Sequence, residues 1–160
     1  MKFGHQILKY REDIIRDLTE LIAVPSVCTD PVPGKPFGEN SAKALETILN
    51  MAKKLGLNTT NVSNYAGDAR YGEGEDFVDV LSHVDIVPVG KGWDSDPLKM
   101  IEKDGYFYGR GVADDKGASI ISLYCLKALK DAGIQGKHTI RTIFGGGEEI
   151  ASNDLDVYYE

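Results

Sequence analysis

An α/β sandwich is expected for this chain on three observations. Helix-periodic and strand-like segments alternate along its 160 residues. Two β-rich apolar runs each lead into ionisable residues at a turn. A broadly apolar helix pattern lies between those runs, which suits packing against a sheet.

Residues 6–22 read as an amphipathic helix. Ile7, Ile14, Ile15, Leu18, Leu21 and Ile22 recur at three-and-four spacing, and Pro25 closes the segment. A loop rich in Pro and Gly spans 25–38. Residues 40–55 form a second helix with Ala44, Leu45, Ile48, Leu49, Ala52 and Leu55 on one side. Asn40 or Ser41 is its expected cap and Gly56 its stop. Residues 57–62 are a strand candidate, and 77–81 a stronger one that delivers His83. Residues 98–102 and 106–108 flank Asp104-Gly105, a hairpin signal. The third helix spans 115–132, apolar through Ile120, Ile121, Leu123, Tyr124, Cys125, Leu126 and Leu129, and Gly133 ends it. Residues 138–144 form a further strand, which leads into three glycines and Glu148-Glu149.

Composition narrows the function. A chain of this length is one domain or a piece of a larger one. Lys and Arg number 18 against 25 Asp and Glu, a net charge of -7 with no basic cluster, so no nucleic-acid partner is expected. No apolar run approaches the ~20 residues of a membrane span, and the N-terminus has no signal-peptide pattern. Two isolated cysteines, Cys28 and Cys125, suggest reduced thiols and a cytoplasmic location, with Cys125 in the core.

Three short segments carry the chemistry. His83 and Asp85 stand two apart on extended chain and share a face, so one can bind a metal while the other orients it. Asp114 and Asp115 open a helix, where a carboxylate serves either as a cap or as a bridge between cations. Glu148 and Glu149 cannot easily share one direction: one can enter a metal shell while the other faces a bound water as general base. Gly145, Gly146 and Gly147 before them permit close backbone approach. Each segment alone fits a solvated loop or a helix cap. Other chemistries find less support. Gly109 and Gly111 do not open a dinucleotide loop, because Asp114 occupies the third glycine position. No serine-nucleophile elbow occurs. His5 and His138 read as surface residues and Trp93 as a loop anchor.

Taken together and in order, these segments resemble the M20 family of zinc peptidases, most closely its PepV-like dipeptidase branch. The resemblance runs through Leu21-Ile22-Ala23-Val24-Pro25-Ser26-Val27, Ser82-His83-Val84-Asp85-Ile86-Val87-Pro88, Gly92-Trp93 with Pro97, Tyr108-Gly109-Arg110-Gly111, Asp114-Asp115-Lys116-Gly117 and Glu148-Glu149. It covers essentially the whole chain. It implies an αβα sandwich of the zinc-peptidase type, of which residues 1–160 form the N-terminal portion of the catalytic domain. A lid or dimerisation domain and the C-terminal part are absent from this stretch. The implied cofactor is zinc, two ions per complete site. His83 binds one, Asp114 bridges both and Glu149 binds the other. Glu148 is the general base, Asp85 steadies the His83 imidazole, and the Asp114–Asp115 peptide bond is cis. Two departures stand out: Ser82 replaces a common glycine, and Gly147 replaces a polar residue before the glutamates.

The resemblance implies dinuclear zinc hydrolysis of dipeptides or small peptides. A further carboxylate and a histidine that the family uses as ligands have no clear match here, and Asp154 and Asp156 follow the glutamates too closely to supply the first. Weak zinc binding and no activity are therefore expected of the chain alone. Two alternatives remain at this point: a non-catalytic remnant that self-associates through an exposed sheet edge, and a deacylase of N-acyl amino acids on the same fold.

Overall fold

The strongest strand signals pair at the centre of the molecule. A computed structural model describes residues 3–160. Its helices are α1 (Arg11–Ile22), α2 (Glu39–Lys54), α3 (Lys116–Asp131) and α4 (Asp154–Tyr159). Its strands are β1 (Asn58–Val62), β2 (Ala66–Tyr71), β3 (Phe77–His83), β4 (Ile101–Lys103), β5 (Tyr106–Tyr108) and β6 (Thr139–Gly145). Strands β1, β2, β6 and β3 lie side by side in that order, with β4 and β5 a separate hairpin. Both β1–β2 and β2–β6 are antiparallel, whereas β3–β6 is parallel. The parallel register sets His83 opposite Gly145. Two chemistry-bearing segments therefore leave the sheet at the same rim, where α/β sheets commonly bind ligands.

Side-chain alternation sorts the helices by face. Ser122 of α3 hydrogen-bonds Thr142 of β6, and Leu49 of α2 lies against Gly67 of β2, opposite Phe144. Those contacts fall on one face of the sheet. A Cβ at Gly67 would stand 2.9 Å from Leu49 Cδ1 and 2.7 Å from the Thr60 carbonyl oxygen, so glycine permits the close approach of α2. Leu21 and Ile22 of α1, Leu45 and Ile48 of α2, and Ile120 and Leu123 of α3 fill one buried core with Ala69, Val84 and Phe144. Each of the Leu, Ile, Val and Phe side chains contributes roughly 1.5–3 kcal/mol on burial. The opposite face carries α4, whose Tyr158 and Tyr159 hydroxyls donate to Asp68 and Asp79. Helices on both faces of a central sheet make the expected αβα sandwich.

Several local expectations require correction. The α-helix expected from residue 6 starts at Arg11, preceded by a 3-10 segment, Phe3–Tyr10. Packing sets that entry: the Tyr10 ring lies 5.7 Å from that of Tyr124, and its hydroxyl donates to Asp131. Neither Asn40 nor Ser41 caps α2, since the helix starts one residue earlier, after Gly38. Ser41 instead donates its hydroxyl to the Gly146 carbonyl oxygen. Strand β2 was not anticipated, because Ala66-Gly67-Asp68-Ala69-Arg70 has no β-branched residue. The turn before it was the available signal: Ser63 and Asn64 both have positive φ, 51° and 61°. Helix α3 buries a narrower stripe than expected, with Ile121 and Cys125 exposed. Cys125 is thus not a core residue, because α3 faces solvent on the side away from β6 and α1.

Tyr124 is fully buried in α3, and its hydroxyl donates to Asp17 of α1 at 2.7 Å. Tyr124→Phe removes a buried bond to a charged acceptor. It is expected to cost about 1.5–3 kcal/mol in urea unfolding with little change in the denaturant slope.

Candidate metal centre

The rim where β3 and β6 end is built on a buried carboxylate. His83 closes β3, and Asp85 follows with no exposed surface. Asp85 Oδ1 lies 3.2 Å from His83 Nδ1 and 3.2 Å from the Glu148 amide nitrogen. Its Oδ2 accepts from the Glu149 amide at 3.0 Å and from Cys28 Sγ at 3.4 Å. One side chain thus ties the imidazole, the glutamate backbone and the first long loop together. Burial pushes the Asp85 carboxyl up, but its contacts with His83, the Glu149 amide and Cys28 outweigh that and leave it below the usual range.

Asp114 approaches from the turn into α3. The Asp114–Asp115 peptide bond is cis. Asp115 precedes α3 yet makes no side-chain cap bond; its Oδ2 accepts from the His83 amide at 3.3 Å. Ser119 Oγ donates to the His83 carbonyl oxygen at 3.0 Å. Lys116, fully buried, donates from Nζ to the carbonyl oxygens of Leu21 and Val24 at 2.9 and 2.7 Å. Burial drives its pKa down to about 7, against the attraction of Asp85. The Asp-Asp-Lys-Gly turn is therefore fastened to β3 on one side and to the end of α1 on the other. Gly117 completes it, since a Cβ there would fall 2.0 Å from the Val112 carbonyl oxygen.

Ligating atoms of His83, Asp114 and Glu149 lie within 4.8 Å of one another. His83 Nε2 is 3.1 Å from Asp114 Oδ1 and 3.7 Å from Glu148 Oε2. Two ligands ~2.0–2.2 Å from one tetrahedral ion stand about 3.4 Å apart, so the imidazole and the carboxylate fit a shared metal. The correct ring nitrogen is available: Nδ1 is engaged by Asp85, and Nε2 faces the acids. In the metal-free chain, burial pulls the His83 pKa down, but Asp85, then Asp114 and Glu148, lift it to about 9. Burial raises the Glu149 carboxyl, and the Asp114 charge adds to the shift. The Asp114 and Glu148 side chains are 74% and 61% exposed, so the rim is open on its outer side.

All five residues singled out in the sequence, His83, Asp85, Asp114, Glu148 and Glu149, meet at this rim. Sequence reasoning missed Cys28, Ser41, Asp115 and Asp154 as supports. Cys28 is half-buried, and its thiol is pushed up to about 12 by burial and the Asp85 charge. Asp115 lies within the Asp-Asp-Lys-Gly motif but serves the His83 amide instead of capping α3. Cys28, Ser41 and Asp154 have no local pattern that marks them, because each acts across a long sequence separation or on a backbone group. Trp93 is a loop anchor as expected: its indole Nε1 donates to the Val89 carbonyl oxygen, and Arg110 lies over the ring. No described helix is long and apolar enough to cross a membrane.

Comparison with known proteins agrees with this geometry. Residues 80–158 match the model of peptidase family M20/M25/M40. The chain is 37% identical to a putative dipeptidase, YtjP, of Bacillus subtilis over 162 aligned residues, covering 100% of this chain and 35% of that protein. It is 38% identical to a Beta-Ala-Xaa dipeptidase of Lactobacillus delbrueckii subsp. lactis, covering 92% of this chain and 32% of that one. The fold matches human carnosine dipeptidase 1 with a TM-score of 0.79 at 24% identity, over 96% of this chain and 36% of the human one. Dug1p, a di-peptidase from Saccharomyces cerevisiae, gives 0.79 at 23% identity, over 98% and 37%. The chain spans about a third of the length of the relatives it matches. A metal cofactor is what this family implies, and His83, Asp114 and Glu149 are a group that could hold one. With its matched segment containing Asp85, Asp114, Glu148 and Glu149 on an M20-type sandwich, the chain belongs to peptidase family M20/M25/M40.

Proposed function

We propose that this chain is the N-terminal part of the catalytic domain of a zinc metallodipeptidase, and that it carries one side of a two-zinc site. The observation that carries the reading is the convergence of His83, Asp114 and Glu149 at the ends of parallel strands and the start of a helix. Similarity to dipeptidases supports dipeptides or small peptides as substrates. His83 Nε2 and one Asp114 oxygen would hold one zinc, and the other Asp114 oxygen with Glu149 would hold the second. Bound zinc supplies Lewis acidity toward the scissile carbonyl and lowers the pKa of an attacking water.

The chain's own residues then divide the remaining work. Asp85 fixes the His83 ring so that Nε2 keeps its direction. Glu148, exposed and 3.7 Å from Nε2, takes a proton from the attacking water and returns it to the leaving amine. Among the described residues the ligand group holds only three members, fewer than two closed ions require.

A second reading rests on a separate feature. Strand β3 is the edge of the four-stranded sheet, and Phe77, Val78, Val80 and Leu81 on it are all exposed. An unpaired apolar edge favours strand addition from a second copy. In that reading the chain associates without catalysing.

Three outcomes are expected. Calorimetric titration of the 160-residue chain with Zn2+ gives binding weaker than the ~10 kcal/mol of a closed structural site. His83→Ala and Glu149→Gln abolish it, and the chain alone hydrolyses no dipeptide. Absence of any binding would overturn the metal reading, whereas tight stoichiometric binding would overturn the incompleteness of the site. In a polypeptide of the relatives' length carrying this sequence, Glu148→Gln lowers kcat about 10²–10⁴-fold while zinc content is unchanged.

The second outcome concerns pH. The imidazolium of the metal-free chain must lose its proton before Nε2 can bind, so apparent Zn2+ affinity rises from pH 6.5 to about 9 and then levels off. NMR titration of His83 in the metal-free chain locates the same transition near 9 rather than at the ordinary imidazole value. The third tests the edge. Sedimentation shows concentration-dependent self-association that Val80→Lys removes; a wild-type monomer at high concentration would exclude this reading.

A further inference from the structure

The backbone of the glycine turn between β6 and the glutamates is held by contacts from several parts of the chain. Gly145 O accepts from the Val84 amide at 2.9 Å, and the Gly146 amide donates to Tyr65 O at 2.9 Å. Gly146 O accepts from Ser41 Oγ and, at 3.4 Å, from Cys28 Sγ. Gly147 O accepts from the Ser152 amide at 3.3 Å. The Gly147 amide donates to Asp154 Oδ2 at 3.0 Å.

We propose that Asp154 is a positioning residue for the Glu148–Glu149 pair, its buried carboxylate fixing the turn that aims both side chains at the metal rim. The proposal rests on the metal-centre reading above. Asp154 is only 5% exposed, lies outside the ligand group, and has no cationic partner among the described residues. Its two oxygens are spent on backbone amides: Oδ2 on Gly147, and Oδ1 on Leu155 at 2.9 Å. The fit is tight, since a Cβ at Gly145 would stand 2.6 Å from Asp154 Oδ2. That contact accounts for a glycine where the strand would otherwise admit a side chain. Asp154 is also delivered from a fixed base, because α4 is pinned to the sheet through Tyr158–Asp68 and Tyr159–Asp79. Removing the carboxylate leaves the buried Gly147 N–H without its acceptor and frees the turn one residue before Glu148.

Amide hydrogen exchange on the metal-free chain tests this, with Asp154→Ala and the conservative Asp154→Asn beside wild type. Exchange at Gly147, Glu148 and Glu149 is expected to accelerate on the order of 10-fold in Asp154→Ala, and less in Asp154→Asn. Phe144 and Ala69 in the sheet keep their wild-type rates. Zn2+ affinity falls on the order of 10–100-fold in Asp154→Ala. Added to a Glu149→Asp background, whose shortened side chain already misplaces the ligand, the same change costs clearly less. Unchanged exchange at the glutamates would overturn the proposal. So would equal acceleration throughout the sheet, or a full, additive affinity loss in the Glu149→Asp background. If wild type binds no Zn2+, the metal reading falls, and the exchange pattern alone decides the role of Asp154.

Discussion

The Asp85 carboxylate is the joint on which the rim turns. It has no exposed surface, and it meets His83 Nδ1, the amides of Glu148 and Glu149, and the Cys28 thiol. A buried charge is tolerated only where polar partners replace water, and two amides, a thiol and the nearby imidazole meet that condition. The same bonds fix relative geometry. Ring orientation at the end of β3 and backbone direction at the end of β6 cannot change independently while one carboxylate holds both. Three side chains of mutually repelling or titrating character are thus kept together before any cation arrives.

Around that joint the fold supplies rigidity from separate directions. The parallel β3–β6 register brings the two strand ends level. Asp115 and Ser119 bind the backbone of His83 from the α3 side, and Lys116 reaches the end of α1. Ser41 of α2 and Asp154 of α4 hold the glycine turn. All four helices therefore contribute a polar contact within or next to the rim, in addition to burying apolar surface. Such a shell is what a metal site needs if ligand directions are to be set by the protein.

The sequence made the layer architecture and the reactive residues legible, for different reasons. Helices α2 and α3 announced themselves through apolar spacing, and the Asp104-Gly105 hairpin through its turn: both residues have positive φ, 54° and 80°. The five rim residues were legible because imidazole and carboxylates sit at element ends in a family-like order. Strand β2 was not, since its fitness as a strand comes from pairing between β1 and β6 and from the space Gly67 leaves for Leu49. Helix α4 was also hidden, as six residues with two acids and two tyrosines show little amphipathic period. Supports such as Cys28 and Ser41 reach a carboxylate or a carbonyl oxygen far along the chain. Local patterns carry no record of such partners. Ser41 is instructive, because a residue suited to capping α2 is instead committed to Gly146.

Lys116 has one more consequence, for the order in which the molecule is assembled. Its amine finds its acceptors at Leu21 and Val24, at and just beyond the C-terminal end of α1, which is made long before it. Those two carbonyl oxygens gain their donor only once residue 116 has been made, and Ser122 of α3 gains its partner Thr142 only with β6. The ligand group is likewise incomplete until Glu149 joins His83 and Asp114. Contacts across long sequence separations, rather than neighbours along the chain, therefore close the rim.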